Sequence, residues 1–261
     1  MKLQIVGGGK MGEALLGGVL AQGWAEPSEV AVAELSDDRR AELEAAYPGV
    51  LVGTDVVSGT DALIAVKPQY VADVAAKLGT AEVERVLTVA AGVTTKSIEA
   101  AAPGVRVVRC MPNTPALVGQ GASAIASGAD ATAADLDWAE SILAAVGMVV
   151  RVDEADLDAV TGLSGSGPAY VFHLAEGLTA AGIAHGLSEE VADALTRQTL
   201  LGAATLLSRS GEDPAVLRAN VTSPGGTTAA GLSVFSDANF LELVHNVVGA
   251  AVARSIELGE Q

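Results

Sequence analysis

Two glycine-rich stretches hold the residue types best suited to binding anions. The first is "LQIVGGGKMGEALLGG" (3–18), where Gly7, Gly9 and Gly12 form a G-x-G-x-x-G between an apolar run and a helical pattern. In that setting the first glycine allows a tight turn. The second lets a phosphate approach the backbone, and the third lets a helix pack close on a strand. The helix N-terminus adds free N–H groups and the positive end of its dipole. This is the chemistry of dinucleotide binding. The second stretch is "NVTSPGGTTAAGL" (220–232). Pro224 stiffens a turn, Gly225 and Gly226 expose amides, and the helix that follows offers its N-terminus to a carboxylate. An ordinary helix-capping loop is the alternative reading of those residues.

A dinucleotide site also needs a group that reads the adenosine ribose, and "VAVAELSDDRRAEL" (30–43) places Glu34 at the end of a second apolar run. A carboxylate there accepts from both ribose hydroxyls of NAD and repels the 2′-phosphate of NADP. Ser36, Arg39 and Arg40 supply a hydroxyl and two guanidinium groups that can hold a phosphate if Glu34 turns away. The alternative is that both arginines lie on a solvated helix face. The choice between NADH and NADPH stays open at this point.

Such loops need a rigid frame. Up to about residue 150 the chain alternates short apolar runs with helical patterns, and "LQIVG", "VAVAE", "ALIAVK", "RVLTVAA", "VRVVRC", "ASAIAS" and "MVVRV" are the candidate strands. Several are rich in Val and Ile without polar alternation, as suits a parallel sheet covered on both faces. "MGEALLGGVLAQG" and "TAADLDWAESILAAVG" have helical spacing and end at Gly, with Thr132 as a cap for the second. The pattern predicts an α/β Rossmann-type doubly wound sheet over residues 1–153. After Asp153 strand signals stop, and an all-helical domain is expected over 154–261, with Ser188 and Asp213 as N-caps and Pro214 at a first helical position. The last helix carries Phe240, Val244, Val247, Val248 and Ala251 on one apolar face, which fits either an internal core or a subunit interface.

Composition sets outer limits. The chain has 261 residues, half of them hydrophobic, enough for two domains. Against 32 acidic residues stand 15 basic ones, and the resulting charge of −17 repels phosphate backbones and anionic membranes. No nucleic-acid or membrane partner is therefore expected. Gly, Pro and charges interrupt every apolar run before it reaches a membrane-spanning length. "MKLQIVGGGKMG" enters a strand and turn at once, leaving no room for a signal peptide, so a cytoplasmic location is expected. The one cysteine, Cys110, ends an apolar strand and reads as a core residue. No Cys/His spacing resembles a metal site, and none is expected. His173, His185 and His245 all fall in helical regions, and none is nominated as an acid or base.

Four further segments, "AVKPQ" (65–69), "AAGV" (90–93), "RCMPNTPALVGQGAS" (109–123) and "DAVTGLSGSGPAYVF" (158–172), sharpen the reading together with the "SPGGTT" already quoted. In this order and spacing they resemble pyrroline-5-carboxylate reductase over essentially the whole chain. The resemblance implies NAD(P)H-dependent reduction of 1-pyrroline-5-carboxylate to L-proline, with a Rossmann domain followed by a helical domain that forms a homodimer. A larger homo-oligomer such as a decamer is also implied. It places Val6, Gly7, Gly9, Lys10, Met11 and Gly12 along the pyrophosphate, Val66, Lys67 and Ala91 near the nicotinamide half, and Asn220 on the cofactor from the helical domain. Ser223, Gly226 and Thr227 become carboxylate donors, and Thr228 the hydroxyl beside the reacting nitrogen. Pro112 and Asn113 shape the cleft floor. Glu154 aligns with an acid beside the substrate, although a favourable interaction with a helix N-terminus explains it equally. The pattern departs at 53–55, where "GTD" stands in place of an asparagine often found ahead of the "AVKP" strand. The nearest rivals are a β-hydroxyacid dehydrogenase or another imine reductase with the same two-domain plan; such dehydrogenases use a helical-domain lysine, and no lysine follows Lys96.

Overall fold

The computed structural model describes residues 1–259. Its chain runs β1 (Leu3–Val6), α1 (Lys10–Ala21), β2 (Val30–Ala33), α2 (Asp37–Ala46), β3 (Leu51–Gly53), β4 (Ala62–Ile64), α3 (Val71–Thr80), β5 (Arg85–Thr88), α4 (Thr95–Ala101), β6 (Arg106–Met111), β7 (Gly121–Ser127), α5 (Ala133–Leu143) and β8 (Gly147–Arg151). After these come α6 (Leu157–Val160), a π-helical turn (Thr161–Gly165), α7 (Gly167–Ala184), α8 (Glu189–Ser210), α9 (Pro214–Asn220), α10 (Thr227–Asp237) and α11 (Phe240–Gly259).

The strands form one sheet in the order β3-β2-β1-β4-β5-β6-β7-β8. The first six are parallel, β7 is antiparallel to β6, and β8 is parallel to β7. Side chains alternate between two covered faces. Ile5, Leu63, Leu87 and Ile125 meet Leu15, Leu16 and Val19 of α1 and Ile142 of α5 in one cluster, whereas Ile64, Val86 and Val107 meet Leu78 of α3 and Ile98 of α4 in the other. Full burial of each such side chain contributes about 2 kcal/mol, so both layers press the strands into place. The doubly wound expectation holds. Two features differ from the sequence reading: β3 is an additional three-residue strand, and the sheet is mixed at β6–β7.

Cys110 is buried in the first cluster, and that burial pushes its thiol up to about 12. Thr132 caps α5 in a reciprocal pair with Asp135, whose carboxylate also accepts from Arg106 Nε at 3.1 Å.

By internal contacts the chain divides into one compact unit of Met1–Ser166 with the segment from Ala250 onward, and another of Gly167–Gly249. The sequence reading places its boundary at 153/154, where strand signals end. The stretch between belongs to the first unit for a packing reason: Leu157 is buried against Ala124 and Ala126 of β7. Near the other end of the chain, Ser255 Oγ donates to Asp158 at 2.6 Å. The second unit is helical throughout. Ser188 caps α8 and Asp213 caps α9 ahead of Pro214, as their residue types require. Gly182 permits close approach of α7 to Ala192 on α8, and the Phe235 and Phe240 rings pack at a tilt of 52° with centroids 4.8 Å apart.

Candidate active site

Because β1, β2, β4, β5 and β6 are parallel, their C-terminal ends lie along one edge of the sheet. That edge gathers Gly7–Gly12, Glu34, Val66–Lys67, Ala91 and Pro112–Asn113. Strand order reverses direction between β1 and β4, which is where ligands bind in open α/β sheets. The glycine loop lies at this reversal: a Cβ on Gly7 would stand 2.8 Å from the Ala65 carbonyl carbon, and Gly7 has φ of +106°. A Cβ on Gly12 would stand 2.0 Å from the Gly7 oxygen, so α1 reaches its position on β1 only with glycine there. Gly9 is the contrast. It has φ of −65°, is exposed, and a Cβ there would meet nothing within 4 Å. The three glycines thus serve turn, approach and packing. An open backbone at Gly9 beside the start of α1 fits a pyrophosphate. Lys10 and Lys67 are exposed, while Val6 is buried and Met11 and Val66 are partly buried beside the loop.

The ribose-reading region is more occupied than the sequence indicates. Glu34 Oε2 accepts from Gly8 N–H at 2.8 Å and Oε1 accepts from Ser36 N–H at 3.0 Å. Ser36 is the N-cap of α2, its hydroxyl accepting from Arg39 N–H at 3.3 Å. Arg39 donates from Nε to the Gly8 carbonyl at 2.6 Å, from one terminal nitrogen to Glu42 at 2.7 Å, and from the other to Glu13. Arg40 donates to the Glu34 and Leu35 carbonyls, both at 2.9 Å, and pairs with Asp37. Neither arginine is a simple solvated side chain. No periodic signal marks Gly8 as the meeting point, since its partners come from 26 and 31 residues away.

Further along the edge, Ala91 is exposed and lines a cavity of about 250 Å³ with Gly92, Thr161, Ser166 and Ser255. Asn113 is buried, donating to the Ser164 carbonyl at 3.0 Å and accepting from Ala122 N–H at 2.9 Å. It thereby ties the loop after β6 to the π-helical turn, a link that spacing alone does not show.

Glu154 finds its partners at a helix N-terminus, that of α4. It accepts from Thr95 N–H at 2.8 Å, from Thr95 Oγ1 at 2.7 Å and from Arg109 at 3.1 Å. Burial opposes its charge, but these hydrogen bonds outweigh burial and hold the carboxyl below its ordinary 4.5. A depressed folded value means that the ionised group stabilises the fold above the ordinary value, and that this contribution is lost as pH falls through the lower one. Glu154→Gln is therefore expected to cost about 2 kcal/mol at pH 7. Urea titrations at descending pH should show the gap from wild type narrowing below about pH 4.5; a gap independent of pH would remove the charge from the argument.

In the second unit, Gly225 has φ of +69° and Gly226 is the N-cap of α10, its N–H bonded to the Ser223 carbonyl at 3.0 Å. Thr227 and Thr228 open the helix. Both are exposed, as are Ser223 and, at the end of α9, Asn220. The turn therefore brings Ser223, Gly226, Thr227 and Thr228 together around a helix start. Among the described residues no group of three His, Cys, Asp or Glu is placed to hold a metal ion.

Residues 154–258 match the family model described as pyrroline-5-carboxylate reductase dimerisation, and residues 2–92 match one described as NADP oxidoreductase, coenzyme F420-dependent. Pyrroline-5-carboxylate reductase of Synechocystis is 41% identical over 266 residues, covering 100% of this chain and 99% of that one. The chain belongs to the pyrroline-5-carboxylate reductase family. The reductase of Arabidopsis thaliana is 39% identical, covering 99% of this chain and 96% of its own. Among solved structures, the Coxiella burnetii pyrroline-5-carboxylate reductase superposes with a TM-score of 0.93 at 35% identity, over 100% of this chain and 99% of that one. The Plasmodium falciparum pyrroline carboxylate reductase, solved with NADP bound, gives 0.84 at 28% identity, over 99% and 98%.

Proposed function

We propose that this reductase converts 1-pyrroline-5-carboxylate to L-proline using NAD(P)H. The observation that carries the reading is the pairing, in one chain, of an open G-x-G-x-x-G loop at the strand-order reversal with a Ser-Pro-Gly-Gly-Thr-Thr helix start. Full-length likeness to named reductases supports it. When bound, the cofactor supplies a hydride to the C=N carbon. The chain's own part is to bind and orient.

The Gly9 amide and the start of α1 hold the pyrophosphate, aided by Val6, Gly7, Lys10, Met11 and Gly12. Glu34 and Ser36 face the adenosine ribose, Val66, Lys67 and Ala91 the nicotinamide half, and Asn220 adds a contact from the helical unit. Ser223 Oγ and the Thr227 amide hold the substrate carboxylate, while the Gly226 N–H, expected from the sequence to be a donor as well, is given to the Ser223 carbonyl and closes the turn. Thr228 Oγ1 accepts a hydrogen bond from the N–H of the protonated imine. An unperturbed hydroxyl is a poor acid, so the imine arrives protonated from water and Thr228 fixes its orientation. Glu154, committed to Thr95 and Arg109, supports the site through α4 and β6.

A homodimer built on the helical unit, assembled further into a decamer, is part of the proposal. Exposed apolar side chains on that unit support it, among them Phe172, Leu201, Val234 and Leu241. No helix among the described residues is long and apolar enough to cross a membrane. We place the enzyme in the cytoplasm, where reduced nicotinamide cofactors are regenerated.

The deciding experiment follows oxidation of NADH and of NADPH by purified protein with and without the imine, with proline identified as product. Substrate-dependent turnover is expected. Cofactor binding without proline would point to a different imine or to a non-catalytic NAD(P)H-binding regulator.

A further inference from the structure

The Gly8 residue is gripped from both sides. Its N–H donates to Glu34 at 2.8 Å, and its carbonyl accepts from Arg39 Nε at 2.6 Å. A trans peptide directs its C=O and the following N–H in opposite directions. Holding the Gly8 oxygen toward Arg39 therefore aims the Gly9 N–H away from α2, on the residue whose surroundings are open. The planar guanidinium has its remaining directions fixed by Glu13, in the first turn of α1, and Glu42, on α2. Arg39 thus links the loop, the helix that follows it and the neighbouring α2. Its fork geometry allows three acceptors to be met at once, which a lysine ammonium on a flexible stem does not reproduce.

The same contacts make this arginine a poor receptor for a ribose phosphate. Each side of the guanidinium already has an acceptor, and two of those acceptors are carboxylates that offset its charge. A dianion brought to Arg39 would compete with those two carboxylates for the guanidinium and approach Glu34, which is bonded to the same glycine. We propose that Arg39 is a positioning residue that sets the Gly9 amide for the cofactor's pyrophosphate, and that it does not read the 2′-phosphate distinguishing NADPH from NADH. The inference rests on the reading of residues 7–12 as the phosphate loop.

The two roles separate in binding experiments. Because both cofactors carry the same pyrophosphate, R39A should raise the Kd for NADH and for NADPH by a common factor, on the order of tenfold. Nicotinamide fluorescence titration reads this directly. At saturating cofactor, kcat and the KM for the imine should stay at wild-type values, a split that general loss of structure would not produce. R39K should show the same equal loss, and it decides the comparison if R39A does not fold. A loss confined to NADPH would make Arg39 a phosphate receptor and overturn the proposal. Unchanged affinity for both cofactors would also overturn it, as would a change in kcat alone. Wild-type protein that binds neither cofactor would defeat the phosphate-loop reading itself, and this inference with it.

Discussion

Gly9→Ala should yield a protein as stable as wild type that has lost at least about tenfold in affinity for NAD(P)H. Its backbone angles are open to any residue, and a methyl group there meets no protein atom within 4 Å. Alanine restricts the unfolded chain more than glycine does but is the poorer N-cap for α1, and the two small terms offset. The methyl group instead occupies the space a pyrophosphate needs for close approach. Gly12→Ala, only three residues away, should behave in the opposite manner. Its Cβ would stand 2.0 Å from the Gly7 oxygen and 3.3 Å from Ile5 Cγ2, so α1 must shift off β1. Overpacking of this kind costs about 3 kcal/mol or more. Urea unfolding and cofactor titration on the two variants should therefore show binding lost without stability for one, and both lost for the other. Equal destabilisation would contradict the assignment of separate roles.

Thr228→Ala should lower kcat/KM for the imine by roughly 10- to 100-fold, the scale of one hydrogen bond to a charged transition state. The side chain is exposed at the second position of α10, so the fold should be unaffected. Thr228 is assigned to the substrate nitrogen and not to the dinucleotide, so cofactor affinity should stay at the wild-type value. Thr228→Ser keeps the hydroxyl and should retain most of the activity. Weakened NAD(P)H binding with unchanged turnover would instead assign Thr228 to the cofactor.

How far these residues can be read without a structure depends on whether their role is local. Gly7 and Gly12 are legible because the positive φ of one and the contact of the other with the Gly7 oxygen act within six residues, although the Ala65 carbonyl that also confines Gly7 lies far along the chain. Thr132, Ser188 and Asp213 are legible as caps because a cap bonds to an amide two or three residues on. Strand direction is a different matter. The runs "VRVVRC" and "ASAIAS" show burial on both faces, and burial does not distinguish parallel from antiparallel pairing, so the β6–β7 reversal left no trace. The three residues of β3 are too few for any period to emerge. Side chains acting across sequence were hidden for the same reason. Nothing near Glu154 points to Thr95, 59 residues away, and nothing near Asn113 points to Ser164. The domain boundary follows this pattern too: the strand signal stops near residue 153, yet Leu157 carries the first core onward.

Cys110 has a practical consequence. The chain's single sulfhydryl is sealed in the core and stays protonated at any ordinary working pH. Thiol-directed reagents need an accessible thiolate, so the native protein should be inert to them. It is a ready background for reporter chemistry. A cysteine introduced at exposed Ala230, in the first turn of α10, would be the one reactive handle on the molecule, so a fluorophore or spin label attached there could report on the helix behind the Ser-Pro-Gly-Gly loop during turnover without first engineering Cys110 away.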